Sequence, residues 1–93
     1  MARIERSNDG QDIMISDLGL VAALRTKGFT HHCYSWKDKF IRYHFHYSDE
    51  LDEYIREWEE GRLEGNLSEF YDMLSLVMRM KARLIRSKTK EID

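Results

Sequence analysis

Apolar and polar positions alternate along one segment of the chain, residues 41–47. Its apolar residues are Ile41, Tyr43, Phe45 and Tyr47, and the residues between them are Arg42, His44 and His46. A period of two is typical of a strand with one buried face and one wetter face. The aromatic and β-branched segment 29–36 predicts a hairpin partner. A two-residue loop at 37–38 would place Tyr34 opposite Ile41, whereas a three-residue loop would move the side chains of one strand to the other face of the sheet. The sequence leaves both registers open.

Two segments have the spacing of an amphipathic helix between a capping residue and a terminating glycine. The first begins after Ser16 or Asp17, whose side-chain oxygens suit an N-cap, and ends at Gly28. The second begins at Ser48 and ends at Gly61, with apolar residues spaced i, i+3, i+4, i+7. These boundaries predict two short helices on either side of the hairpin.

A third helical segment begins at Asn66 to Ser68 and continues to about Arg86. A helix of this length is about 30 Å long at ~1.5 Å per residue, so we expect its last turns to project beyond a small core. With a short strand at residues 12–16, the predicted order is β-α-β-β-α-α in a single α+β domain, with helices on one face of an antiparallel sheet. The predicted core is Ile41, Tyr43 and Phe45 packed on Leu51, Ile55, Trp58, Phe70 and Leu74.

The composition limits the chain to one folded unit. With 93 residues, 42% of them hydrophobic, it has enough apolar side chain for one core. We predict a flexible arm at residues 1–11, the α+β domain at 12–88 and a flexible tail at 89–93. A single cysteine, Cys33, excludes an internal disulfide framework, and no signal-peptide pattern or long apolar run is present. We therefore expect a cytoplasmic protein with no membrane partner.

Charge is small in total and uneven along the chain. The formal net charge is -2, but residues 49–72 contain ten acids and two bases, and residues 79–90 contain six bases and no acid. One interpretation is a pair of solvated helix faces that attract each other within the monomer or between copies. Another is a basic segment that binds phosphates or an acidic partner.

Several short stretches together resemble a small bacterial and phage family catalogued only as a domain of unknown function. Residues 17–29 carry the most specific part, which reads D-L-G-L-x-A-x-L-x-x-K-G-F. The other parts are Tyr43-His44-Phe45, Asp49-Glu50-Leu51, Trp58, Glu60-Gly61-Arg62-Leu63 and Lys81-Ala82-Arg83-Leu84-Ile85. The resemblance covers residues 13–86, and the chain departs from the family pattern at His31-His32-Cys33. It implies a compact domain and a phage or mobile-element setting, in which the protein would act in the host cytoplasm, and it implies no chemistry.

The chain's histidines and its cysteine fall close together: His31, His32, Cys33, His44 and His46. Imidazole and thiolate are zinc ligands, but the spacing matches no recognised metal motif and an exposed sheet face also tolerates histidine. We therefore predict no metal. Catalysis by Cys33 would need an orienting group and a cleft, the acids of residues 49–64 lie on a solvated helix, and the glycines match no phosphate-binding loop. We predict no enzyme, no catalytic residue and no cofactor.

The last helix is the best candidate for function. Its apolar residues continue into the part expected to lack cover, and methionines make an adaptable contact surface. We predict a small non-enzymatic protein–protein interaction module that binds a host or phage macromolecule and forms a homodimer, with an unknown protein partner. The alternative is nucleic-acid binding through the basic segment from Arg79 to Lys90. The candidate contact residues are Met78, Leu84, Ile85, Arg79, Lys81, Arg83 and Arg86.

Overall fold

Four strands form one antiparallel sheet, and three helices cover one of its faces. A computed structural model describes the backbone of residues 4–92 and the side chains of residues 4–88. The elements are β1 (Ile4–Arg6), β2 (Asp12–Ile15), α1 (Leu18–Thr26), β3 (Cys33–Lys37), β4 (Phe40–His46), α2 (Asp49–Glu59) and α3 (Leu67–Ile92). The predicted α+β class, with a long last helix, is confirmed.

The sheet has the strand order β1-β2-β4-β3. Ile13 of β2 pairs with Phe45 of β4, which places the buried side chains of the two central strands on one face. In the β3–β4 hairpin Tyr34 pairs with Tyr43, so the predicted pairing of Tyr34 with Ile41 is wrong by two residues. The loop has two residues, but they are 38 and 39. Asp38 adopts a φ of 56°, a left-handed conformation that the aspartate side chain tolerates.

The amino-terminal segment adds a strand that the sequence analysis did not predict. Ile4 pairs with Ile15 and Arg6 pairs with Ile13, so part of the predicted arm is the edge strand β1. Glu5 points to the opposite face, where its carboxylate accepts hydrogen bonds from Lys37 and Arg42, both at 2.7 Å. Residues 1–3 lie outside the described part of the chain.

The helix boundaries follow the predicted caps. Asp17 accepts hydrogen bonds from the N–H groups of residues 19 and 20, and the Ser48 hydroxyl accepts one from Leu51 N–H at 3.0 Å. Gly28 and Gly61 follow the first two helices with φ values of 95° and 72°. Residues that carry a side chain rarely adopt such backbone angles. Local chemistry therefore sets where α1 and α2 begin and end.

The last helix is longer than predicted, and its carboxyl-terminal turns contact the rest of the fold. Its backbone continues to Ile92, through residues 89–92 of the predicted tail. Leu84 packs against the core, and the Lys88 ammonium lies 3.8 Å from the centre of the Trp36 ring. The expected projection of these turns is therefore wrong at Leu84 and Lys88, because Leu84 packs on the core and Lys88 lies over Trp36 of β3.

The core forms where the sheet meets the helices. Of the predicted core residues, Ile41, Tyr43, Phe45, Leu51 and Ile55 are buried, and Trp58, Phe70 and Leu74 are partly buried against them. The Tyr43 hydroxyl is buried and has no hydrogen-bond partner among the described residues, and burial raises the pKa of this phenol. None of the helices in the described part combines the length and apolar character needed to cross a membrane.

Candidate functional site

An exposed apolar stripe runs along α3. Leu67, Tyr71, Met78 and Ile85 are separated by four, seven and seven residues, so the helical period places them on one side. They are 83%, 68%, 55% and 44% exposed, which is high for large apolar side chains on one helix face. We call these four residues the apolar stripe. Two predicted contact residues, Met78 and Ile85, belong to it, whereas Leu84 packs inside its own chain.

Three of the predicted basic residues form a second surface on α3. Arg79, Arg83 and Arg86 are exposed and follow at spacings of four and three residues, so they share one side of the helix. We call them the basic stripe. Lys81 is half-buried on the side that faces the core, and Lys88 covers Trp36. The structure thus separates the seven predicted contact residues onto three sides of the helix.

The two halves of α3 differ in sign of charge. Glu69 and Asp72 are exposed in the first half, and Glu64 lies in the connector just before it. The bases from Arg79 to Lys88 occupy the second half. The apolar stripe spans both halves, whereas the acids and the basic stripe lie on another side of the helix, the acids at its first half and the bases at its second half.

The histidines of the hairpin divide between the two faces of the sheet. The chain bends at His32, so His31 turns toward the core, where its ring meets Tyr43 edge-on with centroids 5.0 Å apart. His32, His44 and His46 lie on the outer face around Asp12. Cys33 is exposed and pairs with His44 across the hairpin. The pairing of His31 with His44 that a loop at 37–38 would give is absent from the described hairpin.

Burial also changes the acid–base behaviour of His31. Its pKa is lowered, first because burial disfavours the charged ring and then because Arg25 and His32 add positive charge nearby. The ring nitrogen Nδ1 is buried without a hydrogen-bond partner in the described part of the chain. Burial therefore favours the neutral form of the His31 ring.

Sequence reasoning missed three residues that the structure places at these surfaces. Leu67 and Tyr71 are apolar residues within the predicted last helix, but only the packing of α1 on α3 shows which apolar positions stay exposed. In the sequence, Asp12 is the first residue of a predicted strand and nothing more. It reaches the histidines because β2 pairs with β4, which brings Asp12 opposite His46 although the two residues are far apart in the sequence.

Comparison with known proteins gives a family. Residues 10–84 match the family model described as "Domain of unknown function (DUF5659)", which covers most of the chain. The chain therefore belongs to this family. No curated protein and no solved structure matches it. The bacterial or phage setting stays a prediction.

Proposed function

We propose that this member of the DUF5659 family is a protein–protein interaction module that self-associates through the apolar stripe of α3. The observation that carries the proposal is the exposure of Leu67, Tyr71 and Met78 along one helix side. Apolar patches of this kind on a small domain mark contact surfaces, because covering them removes apolar area from water.

The occupant that fits best is a second copy of the chain. A two-fold axis pairs the same surface with itself, so two α3 helices run antiparallel. In that arrangement Leu67 of one copy lies near Ile85 of the other. The acids Glu69 and Asp72 of one copy then lie at the same end of the pair as the basic stripe of the other, outside the apolar contact itself. The apolar stripe is therefore self-complementary, and long-range attraction between the charged ends favours the same antiparallel orientation.

The oligomeric state tests this proposal. We expect light scattering after gel filtration to give a mass twice the chain's 11.2 kDa at high micromolar concentration. The double variant Tyr71→Glu, Met78→Glu should be monomeric, because pairing would bury four uncompensated charges. Phe40→Glu is the matched control, since Phe40 is 57% exposed on the hairpin and lies outside the stripe.

The controls distinguish a dimer formed through the apolar stripe from a monomer and from a dimer formed through the hairpin. The Phe40→Glu variant should keep the dimer mass, and circular dichroism should show native helix content in every variant. A wild-type chain that stays monomeric at about 1 mM contradicts self-association. Loss of the dimer with Phe40→Glu alone would place the contact at the hairpin instead.

Nucleic-acid binding is a second candidate because the basic stripe puts three exposed arginines on one side of α3. Phosphate contacts release counterions, so affinity for a mixed oligonucleotide should fall steeply between about 50 and 200 mM salt. Arg79→Gln with Arg83→Gln should reduce both the affinity and its salt dependence. No binding at the lowest salt would remove this candidate and would leave the apolar stripe unaffected.

A further inference from the structure

Three potential metal-ligating side chains converge on the outer face of the sheet. They come from β2, from the segment just before β3 and from the end of β4: Asp12, His32 and His46. His32 Nε2 lies 3.2 Å from Asp12 Oδ1, and His46 Nδ1 lies 3.7 Å from the same oxygen. All three ligand atoms lie within 4.8 Å of one another.

These separations are close to those of a bound ion. A tetrahedral zinc ion with bonds of about 2.0–2.1 Å holds its nitrogen and oxygen ligands about 3.3 Å apart. The two separations from Asp12 Oδ1 lie on either side of that value. One nitrogen of each ring lies near the same carboxylate oxygen. The rings of His32 and His46 are stacked, with centroids 3.9 Å apart and planes 6° apart, so one ring has to rotate before both nitrogens can direct their in-plane lone pairs at one ion.

The backbone around the cluster is held in place. Asp12 N–H donates to the Ser7 hydroxyl and Asp12 C=O accepts from Ser7 N–H, both at 3.0 Å. His32 N–H donates to His44 C=O at 2.9 Å. Because strand pairing also fixes Asp12 opposite His46, little backbone ordering is needed to bring the ligands together.

A fourth side chain lies behind the carboxylate. His44 Nδ1 is 3.5 Å from Asp12 Oδ2, and His44 Nε2 is 2.8 Å from the Ser35 hydroxyl. Ligands of metal ions are commonly oriented by such partners. His44 is therefore a positioning residue for Asp12.

We propose that Asp12, His32 and His46 bind one divalent transition-metal ion, with zinc as the best match. Two imidazole nitrogens and one carboxylate oxygen suit zinc and its neighbours in the first transition series, whereas magnesium and calcium take oxygen ligands. The His46 side chain is 76% exposed, so solvent reaches the cluster. Three protein ligands leave a coordination position for water.

Zinc titration of the untagged 93-residue chain, followed by calorimetry, tests the site. We expect one zinc ion per chain at micromolar affinity, with changes in the ring resonances of His32 and His46. Asp12→Asn, and separately His32→Gln with His46→Gln, should weaken binding at least tenfold. His44→Gln should weaken it less, because His44 acts through Asp12. A large excess of magnesium should not compete.

Two controls separate this site from other zinc ligands. Cys33→Ser removes the exposed thiol, and His31→Gln removes the histidine that faces the core; both should bind zinc as the wild type does. Zinc should raise the melting temperature of the wild type and of Cys33→Ser, but not that of the double-histidine variant, whose fold is checked without metal. No saturation up to about 1 mM zinc, unchanged affinity in the double variant, or loss of binding with Cys33→Ser would overturn the proposal.

Discussion

Two histidines next to each other in the sequence, His31 and His32, end on opposite faces of the sheet. His32 stacks on His46 in solvent, whereas His31 packs edge-on against Tyr43 and Phe45. A regular strand would also place the two side chains on opposite faces, but with His32 beside Phe45 on the core face. The bend at His32 exchanges the two, so that His31 faces the core and His32 faces solvent. One residue of irregular backbone thus decides which histidine is available to a ligand.

We expect His31 to make folding stability depend on pH below 6.5. The unfolded chain takes up a proton on this ring as the pH falls through its ordinary value of 6.5, but the folded chain, whose His31 pKa is lowered, does not. Stability is therefore lost as the pH falls from 6.5 toward the folded value. Urea midpoints between pH 8 and pH 5 should fall less steeply for His31→Phe than for the wild type. Parallel curves for the two proteins would contradict this account of His31.

At the level of elements, the helix boundaries could be predicted because they depend on neighbouring residues. Strand β1 and the hairpin register could not, because they depend on which strands pair. Asp17, Ser48 and Gly61 act on backbone groups within a few residues, so their roles are visible in the sequence. Strand β1 has only three residues, and its pairing with β2 identifies it. The hairpin register depended on Asp38, a residue less diagnostic of a tight turn than glycine.

Glu5 connects the edge strand β1 to β4 and β3, on the other side of β2, through its ion pairs with Arg42 and Lys37. The pKa of this carboxyl is lowered, first by the hydrogen bond from Lys37 and then by that from Arg42. We expect Glu5→Gln to speed amide hydrogen exchange in residues 4–6 while exchange in β4 stays slow. Glu53→Gln is the matched control, because Glu53 pairs with Arg56 inside its own helix.

The same contact predicts a pH effect in the wild type. The contribution of Glu5 is present above the ordinary pKa of 4.5 and is lost as the pH falls through the lowered value, so β1 should loosen in acid. Equal exchange rates at residues 4–6 in Glu5→Gln and the wild type would show that backbone pairing alone holds the strand.

For the whole molecule, the distribution of charge could be predicted from the sequence, but the exposed surfaces could not. The run of bases identified Arg79, Arg83 and Arg86, since charge is a property of the residues themselves. The exposure of Leu67 and Tyr71 depends on where α1 and the sheet lie against α3. Likewise, the Asp12 cluster exists only because β2 and β4 are neighbours. Both candidate sites are products of packing.

The orientation of the proposed dimer can be tested by the sign of its salt dependence. In an antiparallel pair the acidic first half of α3 lies beside the partner's basic second half, so salt screens an attraction and the dissociation constant rises. In a parallel pair like charges face each other, and salt tightens the dimer. We expect sedimentation equilibrium to show a several-fold weaker dimer at 500 mM than at 50 mM sodium chloride. The charge-reduced variant Glu69→Gln, Asp72→Asn should show a smaller change, because the apolar stripe alone has little dependence on sodium chloride. A dimer that tightens with salt would contradict the antiparallel arrangement while leaving the stripe as the contact.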